Sequence, residues 1–461
     1  MATINGTEHP EGISSLLDTD LYKLTMQCAV LKYFPDVAVE YTFTNRTPHM
    51  RLTKEAFKWL REQIDKLENI FVTDSEIGWL KRTCPYLSDE YLEYLRTFTL
   101  KPKEQVTTTF TPSTIVDADD STPGDVHMKV HGGWKETILY EIPLLALTSE
   151  AYFKFVDTDW NHDGQLEKAK QKGERLLEAG CVFSEFGTRR RRDYKTHEIV
   201  IQGLVAAQKE ANSNGKGWKG KLSGSSNVHL AMRYGLNPVG TVAHEWFMGI
   251  AAVTQDYANA NEKGLQYWIG TFGRGVLGIA LTDTFGTPNF LRAFARPAPS
   301  SGHTSDAEIG NATYADLFTG VRQDSGDPVE FVQLMKKFYS KQGIKDSKTI
   351  VFSDSLNIDR CIQYKAATEE AGLTPSFGVG TFFTNDFQRL KTNEKSVPLN
   401  IVIKISKADG KHAIKLSDDK GKNMGNDELM RSVKEQVGYE EKSWSGGDEA
   451  HRWDAEKESK A

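Results

Sequence analysis

Residues 349–357, Thr-Ile-Val-Phe-Ser-Asp-Ser-Leu-Asn, contain the pattern that decides the fold. The apolar run at 349–352 has the length and composition of a buried β-strand. It ends at Ser353 and Asp354, and Asn357 then offers a side chain suited to capping the start of a helix. A strand, a polar loop and a helix in this order are typical of a parallel α/β fold.

The same succession recurs at four other places in the second half of the chain. Val239–Ala243 leads to His244, and Val276–Leu281 leads to Asp283. Phe318–Val321 leads to Arg322 and Asp324, and Pro375–Phe377 leads to Gly378, Gly380 and Thr381. Each interval has the length of a strand, a loop and a covering helix. Because reactive residues gather at the C-terminal strand ends of a parallel barrel, the sequence predicts a barrel-like catalytic domain over residues 151–394.

The two ends of the chain have a different pattern. In the first 150 residues, a helix from about Ser15–Asp18 to Tyr33 is followed by a mixture of strands and helices, the strands at Val39–Phe43, Val106–Ile115 and Val126–Val130 and the helices at Lys54–Leu67 and Asp89–Thr97. Strands return at Val397–Ile405 and His412–Leu416. These patterns predict an N-terminal α+β domain over residues 1–150 that is completed by residues 395–435, with a charged, poorly packed tail at 436–461.

The composition excludes several classes of protein. The 461 residues carry a net charge of -6, which argues against a nucleic-acid partner. No apolar run is long enough to span a membrane, and the first residues lack the pattern of a secretory signal. The four cysteines form no CxxC pair, which argues against a disulfide framework or a cysteine-rich zinc site. We therefore expect a soluble protein of the cytoplasm or nucleus.

Two motifs of the predicted catalytic domain have competing interpretations. The four arginines of Phe-Ser-Glu-Phe-Gly-Thr-Arg-Arg-Arg-Arg (183–192) fit a solvated basic face or an anion site, with Phe186 as a flat surface for a ring. His244 fits a structural histidine, a metal ligand or a phosphate-accepting imidazole. The HExxH zinc motif fails because position 248 is Met, and the predicted strand-end position favours a functional role.

The remaining motifs also have a structural interpretation. Asp324 and Asp354 stand in sequences that are common in turns, yet carboxylates there could hold ribose hydroxyls or magnesium. Gly378 and Gly380, followed by Thr381, would let the backbone approach a phosphate, although a lone GxG is weak evidence. Tyr22 lies on an amphipathic helix, where packing is the simplest explanation.

Taken together, the motifs resemble the nicotinate phosphoribosyltransferase family, and its fungal branch most closely. The matching segments run in family order and are DTDLYKLTM (18–26), FSEFGTRRRR (183–192), GSSNVHLAMRYGLNPVGTVAHEW (224–246), LTDTFGTPNF (281–290), VRQDSGDP (321–328), FSDSLN (352–357) and FGVGTFFTND (377–386). The resemblance implies a type II phosphoribosyltransferase fold, which is an irregular, incomplete α/β barrel joined to a β-rich α+β domain built from both chain ends. It also implies a homodimer with active sites at the subunit interface.

The implied reaction makes nicotinate mononucleotide and pyrophosphate from nicotinate and 5-phosphoribosyl 1-diphosphate, with magnesium and coupled ATP hydrolysis, in the salvage synthesis of NAD. By matching position, the resemblance gives roles to eleven residues. They are His244 as the phosphorylated histidine, Arg189 in the anion and ring pocket, Tyr22 (from the other subunit), Phe186, Thr241 and Arg322 as nicotinate contacts, and Asp324, Asp354, Gly378, Gly380 and Thr381 as contacts of the phosphoribosyl diphosphate.

Two alternatives stay open at this point. A related transferase that acts on nicotinamide or quinolinate would have a similar barrel and similar phosphate loops. A non-catalytic, phosphate-binding protein on the same scaffold would also share the fold, because fold alone does not establish function.

Overall fold

The computed structural model describes residues 11–114, 119–213, 215–298 and 312–444. Within these residues, the N-terminal part contains seven α-helices and four strands, which are α1 (Leu21–Tyr33), β1 (Ala38–Asn45), β2 (Leu52–Thr53), α2 (Lys54–Lys66), α3 (Asp74–Thr83), α4 (Asp89–Thr97), α5 (Pro102–Gln105), β3 (Val106–Pro112), β4 (Pro123–Gly133), α6 (Trp134–Thr137) and α7 (Glu141–Phe155). Helix α7 is buried along nearly its whole length and packs against α2, so it forms the centre of this part.

The middle of the chain alternates strands with helices. Its elements are α8 (Gln165–Glu178), β5 (Val182–Glu185), α9 (Tyr194–Ser213), β6 (Lys221–Ser225), α10 (Val228–Tyr234), α11 (His244–Thr254), α12 (Ala260–Phe272), β7 (Ile279–Leu281), α13 (Thr287–Phe294), α14 (Tyr314–Leu317), β8 (Gly320–Gln323), α15 (Pro328–Lys341), β9 (Thr349–Phe352), α16 (Ile358–Glu370), β10 (Thr374–Val379) and α17 (Thr381–Thr384). Short, buried, parallel strands alternate here with helices that cover them, as expected for an α/β fold.

The C-terminal part returns to strands and ends in a helix. It contains β11 (Phe387–Gln388), β12 (Lys395–Ser396), β13 (Ile401–Ala408), β14 (Lys411–His412) and α18 (Asp427–Val437). Beyond α18, the Tyr439 hydroxyl donates to the Ser417 carbonyl at 2.6 Å. The first residues of the predicted tail therefore pack against the body of the protein, and the remainder, residues 445–461, lies outside the described residues.

Two six-stranded sheets organise the described chain. The parallel sheet has the order β6-β5-β10-β9-β8-β7, and its edge strands β6 and β7 do not pair with each other among the described residues. The connection between these edge strands carries α10, α11 and α12, so the barrel is incomplete. The second sheet has the order β14-β13-β1-β4-β2, with β3 also paired to β4. The predicted fold class, an incomplete α/β barrel with a β-rich domain built from both chain ends, is confirmed.

Several predicted elements differ from the observed ones. Helix α1 begins at Leu21 and not near Ser15, because Asp18 turns inward to form a bidentate ion pair with Arg191. Val239–Ala243 is a loop and not a strand; Pro238 makes a single isolated bridge to Ser225, and the chain then turns into α11. The last strands are β13 and β14, shifted from the predicted bounds, and Lys415 and Leu416 form isolated bridges instead of belonging to a strand.

Candidate active site

One cavity of about 160 Å³ lies at the carboxyl end of the parallel sheet, beside β13 of the second sheet. The loops that follow the parallel strands form one wall, and residues of β13 and the loops after it form the other. All eleven residues predicted for the site line this cavity, namely Tyr22, Phe186, Arg189, Thr241, His244, Arg322, Asp324, Asp354, Gly378, Gly380 and Thr381. The structure therefore brings together segments that are more than 300 residues apart in sequence, from α1 to β10.

His244 is the first residue of α11 and is nearly buried. Its Nε2 lies 3.0 Å from Asp324 Oδ2 and 3.8 Å from Asp283 Oδ1, and its Nδ1 lies 3.0 Å from the Thr284 hydroxyl. Burial and the nearby Lys415 ammonium lower the pKa of His244 to about 4, in spite of the two carboxylates. The imidazole is therefore neutral at physiological pH and has a nitrogen lone pair available for chemistry.

Arg322 connects three parts of the cavity. Its Nη2 donates to Asp324 Oδ1 at 2.7 Å, its Nε donates to the Ser353 hydroxyl at 2.8 Å, and its Nη1 donates to Thr241 Oγ1 at 3.2 Å. Burial alone would raise the pKa of Asp324. The Arg322 and His244 side chains nevertheless hold this pKa well below its ordinary value. Asp324 is therefore ionised and firmly positioned between a guanidinium group and an imidazole.

Aromatic and cationic side chains line another part of the cavity. Tyr22 comes from the first turn of α1, and Phe186 follows β5. The Arg189 guanidinium lies 4.0 Å from Glu141, to which the Tyr22 hydroxyl donates a long hydrogen bond of 3.5 Å. Tyr22 lines the cavity of its own chain, and a contribution of this ring from a second subunit stays a prediction.

The four consecutive arginines serve different purposes. Arg189 and Arg190 line the cavity, and Arg190 also donates to the Ile401 carbonyl of β13. Arg191 is fully buried against Asp18, and Arg192 is fully buried with its guanidinium group 3.7 Å from the Phe153 ring centroid. The interpretation as a solvated basic face is therefore wrong, and half of the run has a packing role.

The loops after β9 and β10 close the cavity. Asn357 accepts a hydrogen bond from the Arg360 amide and caps α16, as predicted, while Asp354 forms an ion pair with Lys422 at 2.5 Å. At Gly378, a Cβ atom would lie 2.5 Å from the ring of Phe186, so a side chain here would displace that ring. Gly380 precedes Thr381, the first residue of the single-turn helix α17.

Several cationic residues of the cavity were not predicted from the sequence. They come from the β-rich part of the chain and are Arg46, Lys404, Lys415 and Lys422. Lys404 lies 3.5 Å from Glu141, and burial lowers its pKa to about 8. A sequence signal did exist, because Lys404 and Lys415 each interrupt an apolar run, in IVIKI (401–405) and AIKL (413–416). A lysine in such a run has to be paired or directed into a polar cavity.

Comparison with known proteins agrees with this geometry. Residues 17–149 match the nicotinate phosphoribosyltransferase N-terminal domain, and residues 181–441 match the nicotinate phosphoribosyltransferase family. The chain is 48% identical to the nicotinate phosphoribosyltransferase of Saccharomyces cerevisiae, over 96% of this chain and 99% of that protein. It is 37% identical to the enzyme of the same name from Methanosarcina mazei, over 92% and 98% of the two chains.

Solved structures give the same result. A Saccharomyces cerevisiae structure described as a nicotinate phosphoribosyltransferase superposes with a TM-score of 0.85 at 46% identity, covering 94% of this chain and all of that one. The Porphyromonas gingivalis nicotinate phosphoribosyltransferase superposes with a TM-score of 0.77 at 32% identity, over 93% of this chain and all of that one. The higher identity with the yeast proteins agrees with a fungal-type sequence. The chain belongs to the nicotinate phosphoribosyltransferase family, with its type II phosphoribosyltransferase fold.

Proposed function

We propose that this protein joins nicotinate to the phosphoribosyl group of 5-phosphoribosyl 1-diphosphate, with release of pyrophosphate, in the salvage synthesis of NAD. The observation that carries the proposal is the composition of the cavity described above. Aromatic rings and a guanidinium group line one part of it, and His244 stands among carboxylates and lysines in another. This combination suits a small aromatic acid and a polyphosphate that react with each other.

The nicotinate site is proposed to involve Tyr22, Phe186, Arg189, Thr241 and Arg322. The two rings would sandwich the pyridine, since aromatic side chains favour stacked contacts with flat rings. The guanidinium groups would hold the carboxylate, which distinguishes nicotinate from its uncharged amide. The pyridine nitrogen brings its own lone pair, so the enzyme needs to position the ring and does not need a strong base.

The phosphoribosyl diphosphate is proposed to bind at Asp324, Asp354, Gly378, Gly380 and Thr381. Carboxylates accept hydrogen bonds from ribose hydroxyls, and glycines at 378 and 380 would let the backbone approach a phosphate. Bond cleavage at the anomeric carbon passes through an oxocarbenium-like state, as in glycoside cleavage. The cationic residues Arg46, Lys415 and Lys422 are suited to stabilising the leaving pyrophosphate.

Magnesium fits the oxygen donors beside His244. Oδ1 of Asp283 is buried without a hydrogen-bond partner among the described residues, and donor atoms of His244, Asp283 and Asp324 lie within 4.8 Å of one another. Magnesium prefers oxygen ligands and commonly shares them with substrate phosphates. We propose that Asp283 and Asp324 hold the ion, which would supply positive charge to the diphosphate when bound.

ATP coupling is proposed to proceed through phosphorylation of His244. Its neutral imidazole lines the cavity, so a bound nucleotide can present its terminal phosphate to the ring. Phosphohistidine would add negative charge next to the proposed magnesium position and so organise the substrate complex. Loss of that charge on hydrolysis would then favour product release.

The test uses purified protein, γ-labelled ATP, nicotinate and 5-phosphoribosyl 1-diphosphate. We expect acid-labile label and nicotinate mononucleotide formation with the wild type, and loss of the label in His244→Ala. The exposed His127 provides the matched control, since His127→Ala should keep both signals. Equal labelling of wild type and His244→Ala would refute the histidine assignment.

A second comparison tests the substrate class. The wild type is supplied in turn with nicotinate, nicotinamide and quinolinate, and pyrophosphate release is followed. Preference for nicotinamide or quinolinate would replace the proposed substrate, and absence of release with all three would favour a non-catalytic phosphate-binding protein. We expect turnover with nicotinate to exceed turnover with nicotinamide, because a charged carboxylate complements Arg189 and Arg322.

Two further proposals concern assembly and location. The resemblance implies a homodimer with active sites at the subunit interface, and sedimentation at working concentrations tests the oligomeric state. In the described part of the chain, no helix has the length and apolar character needed to cross a bilayer. We propose a cytoplasmic location, supported by four buried cysteines that are all free thiols, and cell fractionation tests it.

A further inference from the structure

The two ring nitrogens of His244 face different surroundings. Nε2 lies 3.0 Å from Asp324 Oδ2, and Asp324 lines the cavity with about a fifth of its side chain exposed. Nδ1 lies 3.0 Å from the hydroxyl of Thr284, a residue with no exposed surface that does not line the cavity. A phosphoryl donor in the cavity therefore has access to Nε2, while Thr284 covers Nδ1.

Thr284 is held firmly in this place. It follows β7 by three residues, and its carbonyl oxygen accepts a hydrogen bond from the Leu416 amide at 2.8 Å. The next residue, Phe285, forms a bridge with Leu416 as well. The loop after β7 and the segment after β14 are therefore held together at this point, which fixes the position of Thr284 relative to the imidazole.

The chemistry of imidazole assigns a role to this hydroxyl. A neutral imidazole carries one N–H group, and only the other nitrogen has a lone pair in the ring plane that can attack phosphorus. The carboxylate of Asp324 can only accept a hydrogen bond, so it favours the N–H on Nε2. The Thr284 hydroxyl can either donate or accept, so it tolerates the N–H on Nε2 and can equally hold it on Nδ1.

We propose that Thr284 directs phosphorylation to Nε2 of His244 by accepting the Nδ1–H hydrogen bond in the reacting tautomer. This inference rests on the proposed phosphorylation of His244. In the reacting tautomer, the Nε2 lone pair points toward the cavity. Oδ2 of Asp324 then accepts a hydrogen bond from a substrate hydroxyl instead of from the imidazole, in keeping with its proposed contact with ribose.

The step balances without any further reagent. The Nε2 lone pair forms the N–P bond, the bond between the γ-phosphorus and its bridging oxygen breaks, and that oxygen leaves with the electron pair as part of ADP. The proton on Nδ1 stays in place and continues to donate to Thr284 Oγ1. The ring gains positive charge as the bond forms, and the carboxylate of Asp283, 3.8 Å from Nε2, stabilises that charge. Thr284 is thus a positioning residue, because it acts on the imidazole and not on the substrate.

The first measurement uses wild-type protein and needs no variant. The protein is phosphorylated with ATP and digested at alkaline pH, and the phosphohistidine is compared with standards of the two ring isomers. We expect the phosphoryl group on Nε2. Phosphorylation on Nδ1 would overturn the role of Thr284 while leaving the proposed function intact, and absence of phosphohistidine would refute the proposed ATP coupling and this inference together.

The second measurement compares Thr284→Val with Thr284→Ser. Valine has a similar shape but no hydroxyl, so we expect about tenfold slower phosphorylation, the effect of one lost hydrogen bond, with the KM for nicotinate unchanged. Serine keeps the hydroxyl and should retain most of the rate. An unchanged rate in Thr284→Val, or an equal loss in Thr284→Ser, would overturn the proposal.

A matched control separates this role from general damage. Thr368 is also fully buried, but its hydroxyl donates to the Tyr364 carbonyl within α16. Thr368→Val should keep the wild-type rate of phosphorylation. In addition, ¹⁵N NMR of the imidazole reports the tautomer directly; we expect the share of the Nδ1–H form to fall in Thr284→Val, and an unchanged share would count against the proposal.

Discussion

Arg322 contacts three other residues of the cavity through a single side chain. One planar guanidinium group reaches Thr241, Ser353 and Asp324 through three different nitrogen atoms. A lysine would keep the positive charge but lose this geometry, since its ammonium is a single point of attachment. A substitution of Arg322 by lysine therefore separates the effect of the positive charge from the effect of the planar shape.

We expect Arg322→Lys to raise the KM for nicotinate by about tenfold or more, while the midpoint of thermal unfolding changes little. Steady-state kinetics with nicotinate as the varied substrate measures the effect. Arg61→Lys, on the exposed face of α2, serves as the control and should leave the kinetics unchanged. A wild-type KM in Arg322→Lys would show that the planar group is not needed.

Glu150 makes stability depend on pH. Burial raises its pKa from the ordinary 4.5 to about 7, with one carboxylate oxygen accepting a hydrogen bond from the Gly12 amide. Because the folded protein binds this proton more tightly than the unfolded chain, the stabilisation is fully present below pH 4.5. It is lost as the pH rises through about 7.

Glu150→Gln removes this dependence and keeps an oxygen for the Gly12 amide. We expect the variant to be more stable than the wild type at pH 8 by on the order of 3 kcal/mol, and to gain little at pH 4.5. Urea unfolding at the two pH values measures the difference, with exposed Glu62→Gln as the control. An equal effect of Glu150→Gln at both pH values would contradict the prediction.

At the residue level, the sequence predicted the site residues that stand in local motifs. It missed the residues that reach the cavity only because distant segments of the chain pack together. All eleven predicted positions line the cavity, because each stands in a short motif at or near the end of a strand or the start of a helix. Lys404 lies on β13 and Lys415 follows that strand in sequence. Both were missed because only the pairing of β13 with β1 brings this segment beside the barrel. Asp18 was expected to start a helix, but a distant partner, Arg191, determines its actual role.

Among the elements, the turn from β10 into α17 connects the two proposed substrate sites. Gly378 packs directly under the Phe186 ring, while Thr381, three residues later, begins α17. Gly378, which is predicted to bind phosphate, therefore also determines the position of the Phe186 ring in the proposed nicotinate site. This contact links residues on β10 and after β5, two neighbouring strands of the parallel sheet.

We expect Gly378→Ala to raise the KM for nicotinate by about tenfold, because the added Cβ would lie 2.5 Å from the ring and must displace it. Gly78→Ala in α3 is the matched control, since its nearest neighbour would be a side-chain nitrogen of Arg82 at 3.5 Å. Kinetics with each substrate varied in turn measures the change. If only the KM for phosphoribosyl diphosphate rose, the contact with Phe186 would not explain the effect.

Elements with strong periodicity or clear caps were predictable, and elements defined by distant partners were not. Helix α4 and strand β9 have the bounds that the sequence indicated. Val239–Ala243 has the composition of a strand but pairs with β6 only at its first residue, where the Val239 amide donates to the Ser225 carbonyl, and Gly240 then packs against the backbone of Tyr22 at the start of α1. Strands β5 and β6 lie in the sheet but were hidden in the sequence by their short length and by the serines and glycine of β6.

In the whole molecule, a buried ionic cluster joins the N-terminal part to the barrel. Lys23 of α1 contacts Glu141 of α7 at 2.6 Å and also Glu245, the second residue of α11. Glu245 in turn accepts hydrogen bonds from Tyr41 at 2.6 Å and from Trp134 at 2.9 Å. The cluster therefore fixes His244, its neighbour, relative to Tyr22.

We expect Lys23→Met to lower the free energy of unfolding by about 3–5 kcal/mol, because Glu245 would remain buried without its cation. The double variant Lys23→Met with Glu245→Gln should recover part of that loss, since the unpaired charge is then absent. Urea unfolding of the wild type, both single variants and the double variant measures the coupling. A double variant no more stable than Lys23→Met would contradict the explanation by charge.

The pairing of β1 with β13 also has a consequence for synthesis on the ribosome. Ser406 contacts Glu40 across 366 residues of sequence, so β1 leaves the exit tunnel long before the strand that completes its sheet. At typical translation rates, this delay is roughly 20–70 s. During that time, one edge of β1 is open to wrong pairing, and the nascent chain should need a chaperone to shield it.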